Sequence, residues 1–307
     1  MDMRSYIGVR GFVSPSEGNR LMEIFREMAN PLSRCLAIVV DVSDATLAET
    51  PKEAKARCGE YNEHARLNPS IANVSKIFVA HESVLNFVNF TTVNRANLAE
   101  NLERVVGVAG PLLHGIQLVM DWPPAGPLRA FRAAHAGLRV ILRVSRDGVR
   151  AVRREMDAAI EKGKEEDEEE EREILSPEEI AAAEKNKEVM LADAVARRVA
   201  LYTGGITDVL LNLSGEMKES GRHFDAELVT EFLRALRRKE ETRTLGLCIA
   251  GGFGGKPFSI RPVGEILREF PDVSMNGCGA MVNVVNQLDV GSAMSFFRNA
   301  EDLCANT

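Results

Sequence analysis

The chain has 307 residues, 45% hydrophobic and 27% charged, with a net charge of −7 at pH 7. That is enough apolar material for one large α/β domain or two smaller ones, and no run of 18 apolar residues offers a membrane span. The acid excess is local: Glu161–Glu173 holds nine acidic and three basic residues, so the remainder is near neutral and lacks the basic patch that binding to nucleic acid needs.

Five cysteines (Cys35, Cys58, Cys248, Cys278 and Cys304) are scattered, mostly on apolar segments. An odd, dispersed set predicts reduced thiols in a cytoplasmic protein rather than a disulfide framework. The opening residues run straight into a strand pattern without the apolar core of a signal peptide. No Cys-x-x-Cys or His-x-x-x-His spacing occurs, so neither a metal nor a cofactor is expected.

In chain order, residues 6–13 predict a first strand. Ser14-Pro-Ser-Glu17 has the spacing of a capping box, and a helix over 16–29 follows, ended by Pro31. Residues 35–41 predict a buried strand closing on Asp41. A helix is expected over 52–67 and a short, ambiguous strand over 76–80. Residues 84–90 predict the third strand, followed by a helix near 95–108. Residues 114–121 predict the fourth, closing on Asp121, and residues 128–136 its helix. Residues 138–144 predict the fifth. Residues 148–193 break this rhythm: a highly charged helical or disordered insertion, restarted by a cap at Ser176-Pro-Glu-Glu179. Residues 192–202 resume a core-facing helix, 207–213 predict the sixth strand and 226–236 its helix.

The last two strands end in glycine: Leu245-Gly-Leu-Cys-Ile-Ala-Gly-Gly-Phe-Gly-Gly255 and Asp272-Val-Ser-Met-Asn-Gly-Cys-Gly279. Helical patterns follow both. Eight strands alternating with helices predict one (β/α)8 TIM barrel over 1–307, with 148–193 as an insertion between strands five and six. The rival is a doubly wound open sheet, against which stands the absence of Gly-x-Gly-x-x-Gly after the first strand. In a barrel the loops after strands seven and eight commonly hold a phosphate. Gly251, Gly252 and Gly254 on one side, and Asn276 and Gly277 on the other, are the candidates, since backbone N–H groups there approach an anion unhindered. Lys256 is close enough in sequence to assist. Ordinary tight turns would need the same glycines.

The order of motifs resembles the phosphoribosylanthranilate isomerase family, a branch of the ribulose-phosphate-binding barrels. His114-Gly-Ile-Gln-Leu118 is similar to the family's Val-Gln-Leu-His-Gly fourth strand, keeping Gln117 and replacing the histidine by Val119. Asp208–Ser214 resembles its sixth strand, and Ser220-Gly-Arg-His-Phe-Asp225 its glycine-rich loop before a helix. Ile249-Ala-Gly-Gly-Phe253 is similar to Ala-Gly-Gly-Leu after strand seven, and Ser274-Met-Asn-Gly277 occupies the place of the Ser-Ser-Gly phosphate loop. The resemblance implies a barrel enzyme, isomerase- or lyase-like, on a small sugar phosphate. The family's catalytic groups are not retained. Its base is a cysteine closing the first strand, where this chain has Val9-Arg10-Gly11, and its acid is an aspartate ending strand six, where this chain has Asn212.

Strand ends supply the candidates for altered chemistry: Arg10 for anion pairing, Asp41 and Asp121 for acid–base work, and Asn212 for orienting a hydroxyl. Glu216 is an alternative acid, His81 a histidine on an expected mouth loop, and Cys278 a thiol near the phosphate loops. Each also has an ordinary structural role open to it, as a cap, a salt bridge or a buried thiol. The second reading is a barrel that binds a phosphorylated ligand or a protein without turnover. The acidic insertion suits a basic protein partner.

Overall fold

A computed structural model describes residues 5–17, 19, 22, 34–50, 52–53, 69–164, 176–213, 224–253, 260–277 and 288–306. Eight parallel strands close into one barrel in sequence order: β1 Tyr6–Arg10, β2 Cys35–Ser43, β3 Leu85–Thr91, β4 Gly115–Leu118, β5 Arg139–Ser145, β6 Asp208–Asn212, β7 Gly246–Ala250 and β8 Ser274–Gly277. Between them run α1 Asp44–Leu47, α2 Ile71–Ala80, α3 Leu98–Ala109, α4 Ala125–Ala134, α5 Arg146–Lys164, α6 Pro177–Ala200, α7 Ala226–Arg238, α8 Val263–Glu269 and α9 Val290–Ala305. This is a (β/α)8 barrel. Among the described residues no helix is long and apolar enough to cross a membrane.

Most of the strands are rich in apolar residues because both faces are covered. Alternate residues form two separate apolar clusters. The outer one, including Val9, Val40, Val88, Ile116, Leu142, Leu211 and Ile249, packs against the helices. The inner one, including Tyr6, Val39, Phe87, Ile141, Leu210 and Cys248, fills the barrel. Helix α7 shows how an element is held to the wall. Asp225 caps it by accepting from the Leu228 N–H, and Val229, Phe232, Leu233 and Leu236 are buried on one face. Burying each such side chain stabilises the fold by roughly 1.5–3 kcal/mol.

The register fixes which inward residues share a level. From Arg10 the ladder through β2, β3 and β4 reaches Arg139 by way of Val39, Phe87 and Gly115. From Gly8, two residues earlier, the opposite route through β8, β7 and β6 reaches Ser145 by way of Asn276, Ala250 and Asn212. The two routes around the barrel therefore differ by eight residues, the stagger of a (β/α)8 barrel, whose interior is built of four-residue layers from alternate strands. Tyr6, Leu85, Arg139 and Gly246 form the lowest layer. Above it lie Ala37, Gly115, Asp208 and Ser274, then Gly8, Phe87, Ile141 and Cys248, then Val39, Gln117, Leu210 and Asn276.

Three expectations need correction. Residues 76–80 are the end of helix α2, not a strand. Ser70 caps that helix by accepting from the Ala72 N–H, and Val74, Ile77 and Phe78 bury one face at helical spacing. A five-residue window was too short to tell the two periods apart. His81 is the cap that ends α2 just before β3, so it lies on the N-terminal side of the barrel, with its Nε2 on the Pro15 carbonyl at 3.0 Å. Asp121 stands three residues beyond the end of β4, in the following loop. The residues between β5 and β6 begin and end as helix: α5 extends to Lys164, and α6 starts at Pro177, where the cap was expected. Among the residues whose burial is described, it is the second half of α6 that packs inward, through Leu191, Ala192, Val195, Ala196 and Val199. The expected helix over 52–67 lies largely outside the described residues, as does most of that over 16–29.

Candidate functional site

Above the four lower layers lies the mouth of the barrel. The next layer holds Arg10, Asn89, Arg143 and Ala250, and the one above it Asp41 and Asn212, with Val119 beside them just past β4. These are C-terminal strand ends, where barrel enzymes place their chemistry.

Asp41 is the centre of this mouth. It is 3% exposed, and Arg10 Nε donates to both its carboxylate oxygens at 2.7 Å. Asn89 Nδ2 donates to Oδ1 at 2.5 Å. Burial raises the Asp41 pKa above the ordinary carboxylate value, and the neighbouring Arg10 and Asn89 oppose that rise only in part. Neutral Asn89 comes from the middle of an apolar strand, and only the barrel register brings it to Asp41. No sequence motif marks it.

Asp121 belongs to a different set. Ser145 Oγ donates to Asp121 Oδ1 at 2.6 Å, the Gly148 N–H donates to Ser145 Oγ at 3.1 Å, and Trp122 Nε1 donates to the Gly148 carbonyl at 3.0 Å. A Cβ on Gly148 would lie 2.8 Å from Asp121 Oδ1, so a larger residue there would have to displace the Asp121 carboxylate. Among the described residues Trp122 is the one non-glycine with positive φ, at 47°. Ser145 pairs with Asn212 in the ladder. The mouth thus divides into an Arg10–Asp41–Asn89 cluster on β1–β3 and an Asp121–Ser145 set beside Asn212 on the β4–β6 side.

At β7 the strand breaks at Gly251 and Gly252, with φ of 109° and 71°. Those values suit glycine and strain other residues. The chain turns there over small Ala250. Asn276 faces the interior, 4% exposed, and its Nδ2 donates to Gln117 Oε1 across the barrel at 2.9 Å. Its side chain therefore belongs to the floor beneath the mouth, so any contact it makes with an anion would come from its main chain. Gly277 pairs with Val9 in the ladder. Gly254, Glu216, Lys256 and Cys278 lie outside the described residues.

The floor is itself polar. Gln117 Nε2 donates to Tyr6 Oη at 3.3 Å, and Tyr6 Oη donates to Cys248 Sγ at 3.4 Å. Burial pushes the Cys248 thiol up to about 12, so it is no nucleophile at neutral pH. At the base Arg139 forms a buried two-pronged pair with Asp208, its guanidinium 5.1 Å from the Tyr6 ring centroid. Among the described residues no group of His, Cys, Asp and Glu side chains has the arrangement to hold a metal ion.

Fold and mouth together define a closed (β/α)8 barrel with a buried acid and an arginine at its C-terminal face. No family model matches the chain, and no curated protein sequence does. Among solved structures the chain is similar to TrpF from Jonesia denitrificans, at 12% identity over 97% of this chain and 98% of that one, with a TM-score of 0.48. It is also similar to phosphoribosylanthranilate isomerase from Thermotoga maritima, at 11% identity over 96% and 98%, with a TM-score of 0.48. A third similar structure is tryptophan synthase subunit alpha from Legionella pneumophila, at 13% identity over 99% and 94%, with a TM-score of 0.48. Likeness at this level transfers no residue role, and the barrel assignment rests on this chain's own strand ladder.

Proposed function

We propose that the chain is a barrel enzyme acting on a small phosphorylated metabolite, with Asp41 as its acid–base group. The carrying observation is the Arg10–Asp41–Asn89 cluster: a buried carboxyl of raised proton affinity, fixed by two partners at the C-terminal mouth. Such a group exchanges a proton nearer neutral pH than an ordinary aspartate, which is what general acid–base work requires. Arg10 sets the carboxyl's orientation and supplies positive charge where a substrate anion would form. The Gly251–Gly252 turn supports the phosphate part of the reading, since its open backbone faces the same end of the barrel as Asp41. Asn212 would orient a substrate hydroxyl from the opposite wall.

A second reading, a barrel that binds such a ligand without turnover, is favoured by the seating of Asp121. Its carboxylate is tied to Ser145 and not to the Asp41 cluster, so among the described residues Asp121 does not serve Asp41 as the partner acid that two-group catalysis would use.

A thermal-shift screen against phosphorylated metabolites, run on the parent, Asp41→Asn and Gly252→Leu, separates these. The enzyme reading expects at least one compound to stabilise the parent, since a ligand of the native state raises its stability. It also expects Gly252→Leu to lose that response, and Asp41→Asn to keep it while losing conversion of the compound by at least 100-fold. Binding without conversion by any of the three proteins favours the second reading. If no phosphorylated compound stabilises the parent, both are wrong.

A further inference from the structure

His81 has no part in the readings above, yet it is a buried titratable group that holds a neighbouring segment in place. It ends α2, is 1% exposed, and its Nε2 lies 3.0 Å from the Pro15 carbonyl. A carbonyl only accepts, so Nε2 holds the ring proton and Nδ1 is the bare nitrogen. Among the described residues that buried Nδ1 has no hydrogen-bond partner. In the first turn of the same helix, Asn73 Nδ2 donates to the Val13 carbonyl at 3.4 Å. The segment that leaves β1 just after Arg10 is thus tied to α2 at Val13 and again at Pro15.

We infer that His81 is an acid-sensitive latch: its neutral ring pins the segment after β1 against α2, and protonation of Nδ1 releases that segment. The second proton would place a positive charge on a buried ring to which, among the described residues, no carboxylate bonds. The groups on the elements around it do not supply one. Lys76 and Glu82, on its own element and just past it, are exposed, and β3 carries no titratable residue. His114, before β4, accepts from the Asn86 N–H through its Nδ1. On α3, Glu100 is exposed, Glu103 is turned to His135 and Arg104 to the Leu47 carbonyl. Glu17, in the pinned segment, accepts from the Val13 and Ser14 N–H groups at 2.7 and 3.0 Å. The two groups of this contact respond to acid with opposite signs. Burial lowers the His81 pKa, so the latched state is disfavoured as pH falls below the ordinary value of about 6.5 and further until the lowered value is passed. Burial raises the Glu17 pKa, so Glu17 favours the latched state as pH falls. Release on acidification therefore carries the sign of His81.

The test is hydrogen exchange of the full chain, read by mass spectrometry on a peptide spanning residues 11–17 and corrected for the intrinsic rate. Between about pH 7.5 and about pH 5.5, opening of this segment in the parent should rise several-fold, up to the roughly ten-fold that one pH unit below the ordinary histidine value allows. Protection of β5 should stay unchanged. His81→Gln keeps an amide donor near the place of Nε2 and does not titrate, so its segment should stay closed at both pH values. No rise in the parent, an equal rise in β5, or a rise in His81→Gln as large as the parent's overturns the latch. If the glutamine variant fails to fold, the ring resonances of His81 in the parent decide: they should titrate together with the opening of the segment. A segment that opens while the ring stays neutral overturns the latch as well.

Discussion

At the scale of single residues, Asp41 makes the sharpest prediction. Its folded pKa is raised by burial, so its contribution to stability is fully present below the unfolded value of about 3.9 and is lost as pH rises through the folded value. Asparagine does not titrate. The stability difference between the parent and Asp41→Asn, measured by denaturant unfolding across pH 3–8, should therefore shift against the parent as pH rises. A flat difference would mean that Arg10 fully offsets burial and that Asp41 is an ordinary ion-paired aspartate. Asn212 predicts an absence. It ends β6 where the resembling family has its acid, and an amide neither gives nor takes a proton at neutral pH. With the family's cysteine also replaced, and each such group contributing about 10²–10⁴-fold, the chain should not rescue a tryptophan auxotroph lacking phosphoribosylanthranilate isomerase. Growth at native expression would show that Asp41 or another group has taken over both proton transfers.

Among the elements, β5 and β6 carry a buried ion pair that two glycines make room for. A Cβ on Gly246 would lie 1.9 Å from Asp208 Oδ1, and one on Gly115 would lie 2.8 Å from Arg139 Cβ. Removing one partner leaves an uncompensated buried charge, so Arg139→Met should cost about 3–5 kcal/mol in urea unfolding, and Arg139→Met with Asp208→Leu should recover most of it. A double variant no more stable than the single one would contradict this account of the barrel base. The same elements mark what the sequence allowed to be read. All eight strands were legible, because most are apolar-rich segments bounded by glycine, proline or charge and they alternate with helical patterns, and so was the break after β7, where Gly251 and Gly252 both adopt positive φ. Arg139, Asp208, Asn89 and Arg143 were not legible as a set. They are scattered over three largely apolar strands, Asn89 on β3, Arg139 and Arg143 on β5 and Asp208 on β6, and only the stagger of the closed barrel decides which of them meet. Residues 76–80 misled for a related reason, since Ile-Phe-Val-Ala suits a strand as well as the last turn of a helix.

At the scale of the whole molecule, the charged stretch between β5 and β6 is expected to be separable from the barrel. Residues 162–172 contain no apolar side chain, and the stretch adjoins the exposed end of α5. Replacing it by a short Gly/Ser linker should move the midpoint of thermal unfolding by no more than about 2–4 °C, the effect of roughly 1 kcal/mol in a chain of this size. Loss of cooperative unfolding would show that the segment packs. On the outer wall, a groove of about 520 Å³ between α6, α7 and α8 is lined by six glutamates with Lys185 and Arg234. Arg234 is held there by Glu269, both bonds being 2.7 Å, so this wall presents acid to solvent while the mouth presents Arg10. The two ends of this charge distribution give the most direct test of the central claim, that the mouth is the ligand site. Crystals of the full chain soaked with glycerol 3-phosphate should show the phosphate within hydrogen-bond reach of the Gly252 main chain, on the Arg10 and Asp41 side of the barrel. A phosphate found elsewhere on the surface, or an empty mouth at concentrations that saturate the protein in solution, would contradict it.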